Sequence, residues 1–128
     1  MTAPGVLRPW ARPRLWLAGW LAMIATVIVA SLLPSSSLPE PSFTGIDKVE
    51  HLLAYGLLSG YAVLLFATVR AHRVSAFALV ALGVALEGAQ AMLTTSRLAD
   101  PGDMLANALG VALGWWLGRR VVVRWQSP

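Results

Sequence analysis

The chain has 128 residues, of which 57% are hydrophobic and only 12% charged, with a net charge of +4. An ordinary soluble domain carries about twice that share of charge, so one domain of this length holds more apolar side chains than it could bury, and a bilayer is the natural solvent. The absence of cysteine excludes disulfides and thiolate metal sites, and no basic stripe with interleaved aromatics points to nucleic acid.

A hydrocarbon core of about 30 Å takes roughly 20 apolar residues to cross. Four segments meet that length, at about 15–33, 46–69, 74–94 and 101–123. They predict an all-α polytopic membrane protein, a bundle of four transmembrane helices forming a single domain over 1–128. The first segment carries no charge. It is long for the apolar stretch of a signal peptide and no A-x-A site follows it, so it is expected to stay in place. Residues 31–41 end it with three prolines and four serines. The second segment is polar at its start and apolar after His51, and 70–73 reads as a short basic turn. The third carries Glu87 and Gln90, 95–102 reads as a polar turn, and Arg119 and Arg120 interrupt the fourth near its end.

Charge sets the expected orientation. Arg8, Arg12, Arg14, Arg70, Arg73, Arg119, Arg120 and Arg124 fall on one side with no acid among them. Lys48 and Arg97 fall on the other, beside Glu40, Asp47, Glu50, Asp100 and Asp103. Positive residues stay inside, so both termini are predicted to be cytoplasmic in a bacterial cytoplasmic membrane, with the two long connections outside.

Thr44 and Asp47 read as a capping pair for the second helix, and Asp100-Pro101-Gly102-Asp103 as N-cap, N1 proline and an acid at N3 for the fourth. Asp47, His51 and Tyr55 follow at intervals of four, as do Asp103 and Asn107, while Gly83, Glu87, Gln90 and Thr94 make a polar and small stripe on the third helix. At a rise of 1.5 Å per residue, Glu87, His51 and Asn107 each lie about 10 Å from the outer end of their helices. A charge at that depth is expensive unless it faces a bundle interior or a wet cavity. This places an outward-opening polar pocket among helices 2, 3 and 4, with Lys48 and Arg97 at its rim. Gly110, Gly114 and Gly118 form a small-xxx-small packing stripe, and Trp115 and Trp116 sit where interfacial aromatics are expected.

In these residues the chain resembles the VanZ-like family. The matching pieces are Asp47-Lys48-x-x-His51-x-x-x-Tyr55, Glu87-x-x-Gln90, and Arg97-x-x-Asp100-x-x-Asp103-x-x-x-Asn107-x-x-Gly110-x-x-x-Gly114, with Leu32-Leu33-Pro34 ending the first segment. The chain departs from the pattern at Thr94-Thr95-Ser96, where a turn with proline or glycine is expected. The resemblance covers nearly the whole chain. It implies a four-helix integral membrane protein, in a family named after a member linked to teicoplanin resistance.

Several functions fit these residues. In the first, the pocket binds or modifies an anionic lipid or lipid-linked envelope precursor, with helix N-termini, Lys48 and Arg97 as donors, Asp47, Tyr55, Gln90, Asp100, Asp103 and Asn107 as further ligand-binding residues, and a divalent cation as a candidate bridge held by the aspartates. In the second, the protein is an enzyme: His51 or Glu87 acts as general base and Arg97 stabilises negative charge, with water attacking because no nucleophile stands out. The others are a small oligomeric transporter or channel and a structural partner subunit. The uncharged first helix argues against the multidrug-exporter type, whose key glutamate lies there.

Overall fold

A computed structural model describes residues 5–95 and 98–126. It is all-helical, with α1 (Pro13–Leu32), a 3-10 turn at Ser35–Ser37, α2 (Ile46–Leu65), α3 (Val69–Leu93) and α4 (Pro101–Gln126). There is no strand among the described residues, only an isolated antiparallel bridge between Leu7 and Phe66.

Two of the four helices, α1 and α3, are long and apolar enough to cross a membrane. Large apolar side chains also face outward on every helix, among them Val29, Leu57, Phe77 and Leu109. α2 carries its charges at its start, Asp47, Lys48 and Glu50, and α4 carries Asp103 in its first turn and Arg119, Arg120 and Arg124 toward its end.

The turn between α2 and α3 lies four residues earlier than expected. α2 ends at Leu65 and α3 begins at Val69, so Arg70 and Arg73 belong to the first turns of α3 and not to a connecting turn. The physical cause is a cap and a clamp. The Thr68 hydroxyl accepts the Ala71 amide at 3.2 Å, satisfying a free donor of the first turn. The N-terminal segment holds the break from the other side: the Arg8 amide donates to the Leu65 carbonyl and the Ala67 amide to the Val6 carbonyl. The His72 Nε2–H donates to the Phe66 carbonyl at 2.9 Å, closing the corner. The start of α2 also differs from expectation. Gly45 caps it, at φ 88°, without a side-chain bond, so Thr44 and Asp47 do not form a capping pair. The glycine supplies a left-handed conformation that a threonine would adopt only with strain.

Arg119 and Arg120 do not interrupt α4. Each lies over the ring one turn back, Arg119 over Trp115 at 4.8 Å and Arg120 over Trp116 at 4.9 Å, and the helix runs on to Gln126. Pairs at this spacing are neighbours on a helix surface, and a cation over an indole face is attracted to it.

α2 and α4 form the closest pair. A Cβ at Gly114 would overlap the Gly56 carbonyl oxygen, and one at Gly110 would overlap the Leu52 carbonyl oxygen. The expected stripe on α4 thus meets a second glycine pair, Gly56 and Gly60, on α2. The contact brings the Ser59 hydroxyl to the Val111 carbonyl at 2.8 Å, both residues buried. α1 packs more loosely. Trp20 is its one buried residue, held by an indole N–H bond to the Leu58 carbonyl at 2.9 Å and an edge contact with Phe66.

The charges separate along the bundle. The N-terminal segment, the end of α2, the start of α3 and the end of α4 meet at one end, where Arg8 and Trp10 bond α2 carbonyls and Trp10 packs on Trp125. The end of α1, the start of α2, the end of α3 and the start of α4 meet at the other, through Gln90 to Ser31 and Lys48 to Asp100.

Candidate functional site

The site lies at the acidic end, and helix geometry builds it. In α2 one face descends from exposed Asp47 through half-buried His51 to buried Tyr55, a gradient that follows from their four-residue spacing. In α3 the same depth is reached by Glu87, which is 1% exposed, and in α4 by Asn107 at 2%.

Its outer layer is ionic. The Lys48 ammonium lies 2.7 Å from Asp100, 3.3 Å from Asp103 and 3.5 Å from Asp47. The expected α4 cap is present: Asp100 Oδ1 accepts the Gly102 amide at 2.7 Å. The Lys48 ammonium, and after it the Gly102 amide, hold the Asp100 carboxyl below the usual carboxylate range. A group lowered in the folded state contributes stability above its ordinary value, and that contribution fades as pH falls through the folded one. Melting temperature in detergent should therefore fall as pH drops below the ordinary carboxylate value of about 4, and Asp100→Asn should flatten that limb. An unchanged acid limb in the variant would show that the ion pair contributes nothing to the fold.

The inner layer is a cluster around His51. Its Nδ1 lies 2.9 Å from the Asn107 side-chain oxygen. An amide oxygen only accepts, so Nδ1 carries the proton and Nε2 is left to face inward. Nε2 lies 3.7 Å from Asp103 Oδ2. Asp103 divides its oxygens, Oδ1 toward Lys48 and Oδ2 toward His51. Ligand atoms of His51, Glu87 and Asp103 lie within 4.8 Å of one another. Glu87 Oε2 also accepts the Asp100 backbone amide at 3.1 Å, tying the inner layer to the α4 cap. Among the described residues, no cationic side chain lies within ion-pair distance of Glu87.

Most residues singled out in the sequence converge here. Asp47, Lys48, Asp100 and Asp103 form the outer layer, and His51, Glu87 and Asn107 the inner one, with Asp103 shared. Gln90 instead turns to α1, donating to the Ser31 carbonyl at 2.8 Å, so it ties helices together and does not line the pocket. Arg97 lies outside the described residues. The sequence reading missed α1. A cleft of about 170 Å³ runs between α1 and α2, bounded by Val27, Ala30, Leu38 and Ala54 on its apolar flank and by Glu50, His51 and Tyr55 on its polar one. Glu50 is exposed yet reaches this cleft. Nothing in the uncharged first segment signals that role.

Compared with known protein families, curated proteins and solved structures, the chain matches none.

Proposed function

We propose that the chain is a multi-pass protein of the bacterial cytoplasmic membrane, of the VanZ-like type, with four membrane-crossing helices and both termini in the cytoplasm. Its polar site opens to the outer face and takes the head group of an anionic lipid or lipid-linked envelope precursor. The observation that carries this reading is the convergence of Glu87, His51, Asp103 and Asn107 inside apolar helices. A charged side chain at the bilayer centre costs roughly 2.5–3.5 kcal/mol on insertion scales, and polar groups at membrane depth usually face a bundle interior or wet cavity and mark a functional site.

Two further features support the reading. Arginines and tryptophans gather at one end and carboxylates at the other, the separation expected of a positive-inside protein with an interfacial aromatic belt. The cleft beside His51 is apolar on one flank and polar on the other, which suits an amphiphile. Its size matters: pockets that enclose a small molecule run from about 300 Å³ upward. A cleft of about 170 Å³ takes only part of a head group, leaving acyl chains along the outer surface of α1 and α2.

The test is binding of phosphatidylglycerol against phosphatidylcholine to detergent-purified protein, read by native mass spectrometry. Retention of the anionic lipid should be at least about tenfold stronger, and His51→Ala, Glu87→Gln and Arg97→Ala should each abolish the difference while membrane insertion is unchanged. Full selectivity in all three variants would remove the site from the account.

A further inference from the structure

The cluster has a charge problem. Asp47, Glu87, Asp100 and Asp103 bring four carboxylates together, and Lys48 is the one cation the described residues set against them. These carboxylates oppose an anionic head group unless further positive charge balances them. Lys48 is already engaged by three aspartates, so it is poorly placed to bind a phosphate as well. Asp47 and Asp100 are likewise poorly placed for a metal, because the Lys48 ammonium lies between them, whereas Asp103 turns only Oδ1 to Lys48 and keeps Oδ2 for the inner layer.

The inner layer is different in kind. It offers one imidazole nitrogen and two carboxylates from three separate helices, converging within 4.8 Å. The imidazole is oriented for coordination: Nδ1–H is fixed by Asn107, itself buried, and Nε2 is free on the side of Asp103 Oδ2. Histidines that ligate metals donate their other N–H to just such a partner, which sets the tautomer and the ring orientation. Glu87 is more than nine-tenths buried, and among the described residues it accepts a hydrogen bond from the Asp100 backbone amide. Asp103 Oδ2 points at His51 at 3.7 Å, a separation close to that between neighbouring ligands around one ion, which is about 3–3.5 Å for bonds of about 2.1 Å.

We propose that His51 Nε2, Glu87 and Asp103 hold one divalent first-row transition ion, with Zn²⁺ or Mn²⁺ as the fitting class. An imidazole with two carboxylates suits these ions, whereas Ca²⁺ and Mg²⁺ take oxygen donors. Three protein ligands leave coordination positions open, and of the three His51 also borders the cleft against α1. The ion reverses the sign of the site. It balances the carboxylates and offers a phosphate its own ligand position, so an acidic cluster becomes an anion receptor. What the ion does for a lipid rests on the reading given above; the ion site itself is tested without lipid.

The experiment uses the full chain in detergent, stripped with chelator and titrated with ZnCl₂ and MnCl₂, with CaCl₂ and MgCl₂ as controls, read by calorimetry and by metal content after desalting. The expected result is one equivalent of Zn²⁺ or Mn²⁺ per chain and no competition from Ca²⁺ or Mg²⁺. His51→Ala, Glu87→Gln and Asp103→Asn should each weaken binding at least about 100-fold, and Asn107→Ala, which leaves all three ligands in place, about 10–100-fold. Co²⁺ absorption gives a second readout on protein that is shown to be helical and monodisperse. Absence of saturable binding overturns the proposal and leaves neutralisation to Arg97. Binding that survives His51→Ala also overturns it, since the ion then lies elsewhere. Ion binding without lipid selectivity sinks only the lipid reading, and lipid selectivity without ion binding sinks only this one.

Discussion

Gly114→Val should cost the fold about 3 kcal/mol or more, the largest loss expected of any single substitution outside the polar site. On the four-span reading proposed above, the lipid is as apolar as leucine, so helices associate through close contact and interhelical hydrogen bonds, not through escape from water. The α2–α4 contact depends on both. Even a single Cβ at Gly114 would overlap the Gly56 carbonyl oxygen, which is backbone and cannot swing away. The helices must then separate, and the Ser59 bond to the Val111 carbonyl stretches with them. Overpacking a core costs about 1–3 kcal/mol where side chains can yield, and more where backbone blocks backbone. Gly88→Val is the control, because nothing lies within 4 Å of a Cβ there. Thermal melts in detergent, followed by circular dichroism, should show the Gly114 variant melting far earlier and the Gly88 variant close to the parent. Equal melts for both would mean that the two helices do not approach as described.

Trp20→Ala is the second large effect, and it concerns how α1 stays attached. Three side-chain hydrogen bonds that tie α1 to its neighbours are Trp20 to the Leu58 carbonyl, Tyr61 to the Trp16 carbonyl and Gln90 to the Ser31 carbonyl. Trp20 is the buried one, and it also packs edge-on against Phe66 at 5.5 Å. Truncating a buried tryptophan costs about 3–5 kcal/mol in water-soluble cores. Part of that value is transfer from water, which lipid removes, so about 2 kcal/mol is expected here. Trp20→Phe keeps most of the packing and loses only the indole bond, so its cost should be about 1 kcal/mol. Melting temperatures should rank parent, Trp20→Phe, Trp20→Ala. A phenylalanine variant as unstable as the alanine one would assign the whole effect to the hydrogen bond.

Much of this architecture was legible in particular residues. The four helices follow from four long, mainly apolar segments, and the meeting of His51, Glu87 and Asn107 follows from their equal distance from the helix ends. Asp100-Pro101-Gly102 announced its cap because an aspartate before a proline has few other uses. The glycine stripe on α4 was equally plain, whereas its partner, Gly56 and Gly60, is embedded in a run of leucines that masks it. The misplaced corner after α2 has a similar origin. Residues 65–74 mix apolar and basic side chains with no glycine or proline, and the break is made by Thr68 and by a segment nearly 60 residues upstream, which local pattern does not reveal. The turn of Gln90 toward α1 was hidden for the same reason: its partner is a backbone carbonyl, which no side-chain pattern marks.

The central claim is that the acidic end of the bundle faces outward and the arginine end faces the cytoplasm. The chain contains no cysteine, so single substitutions can be labelled without background. Leu98 is 89% exposed beside the acidic end, and Val6 is 61% exposed beside the arginine end. A membrane-impermeant maleimide added to intact cells or spheroplasts should label Leu98→Cys at once and Val6→Cys only after the membrane is opened. Labelling of Val6→Cys with Leu98→Cys protected would invert the orientation, and equal labelling of both before opening would take the protein out of the membrane altogether.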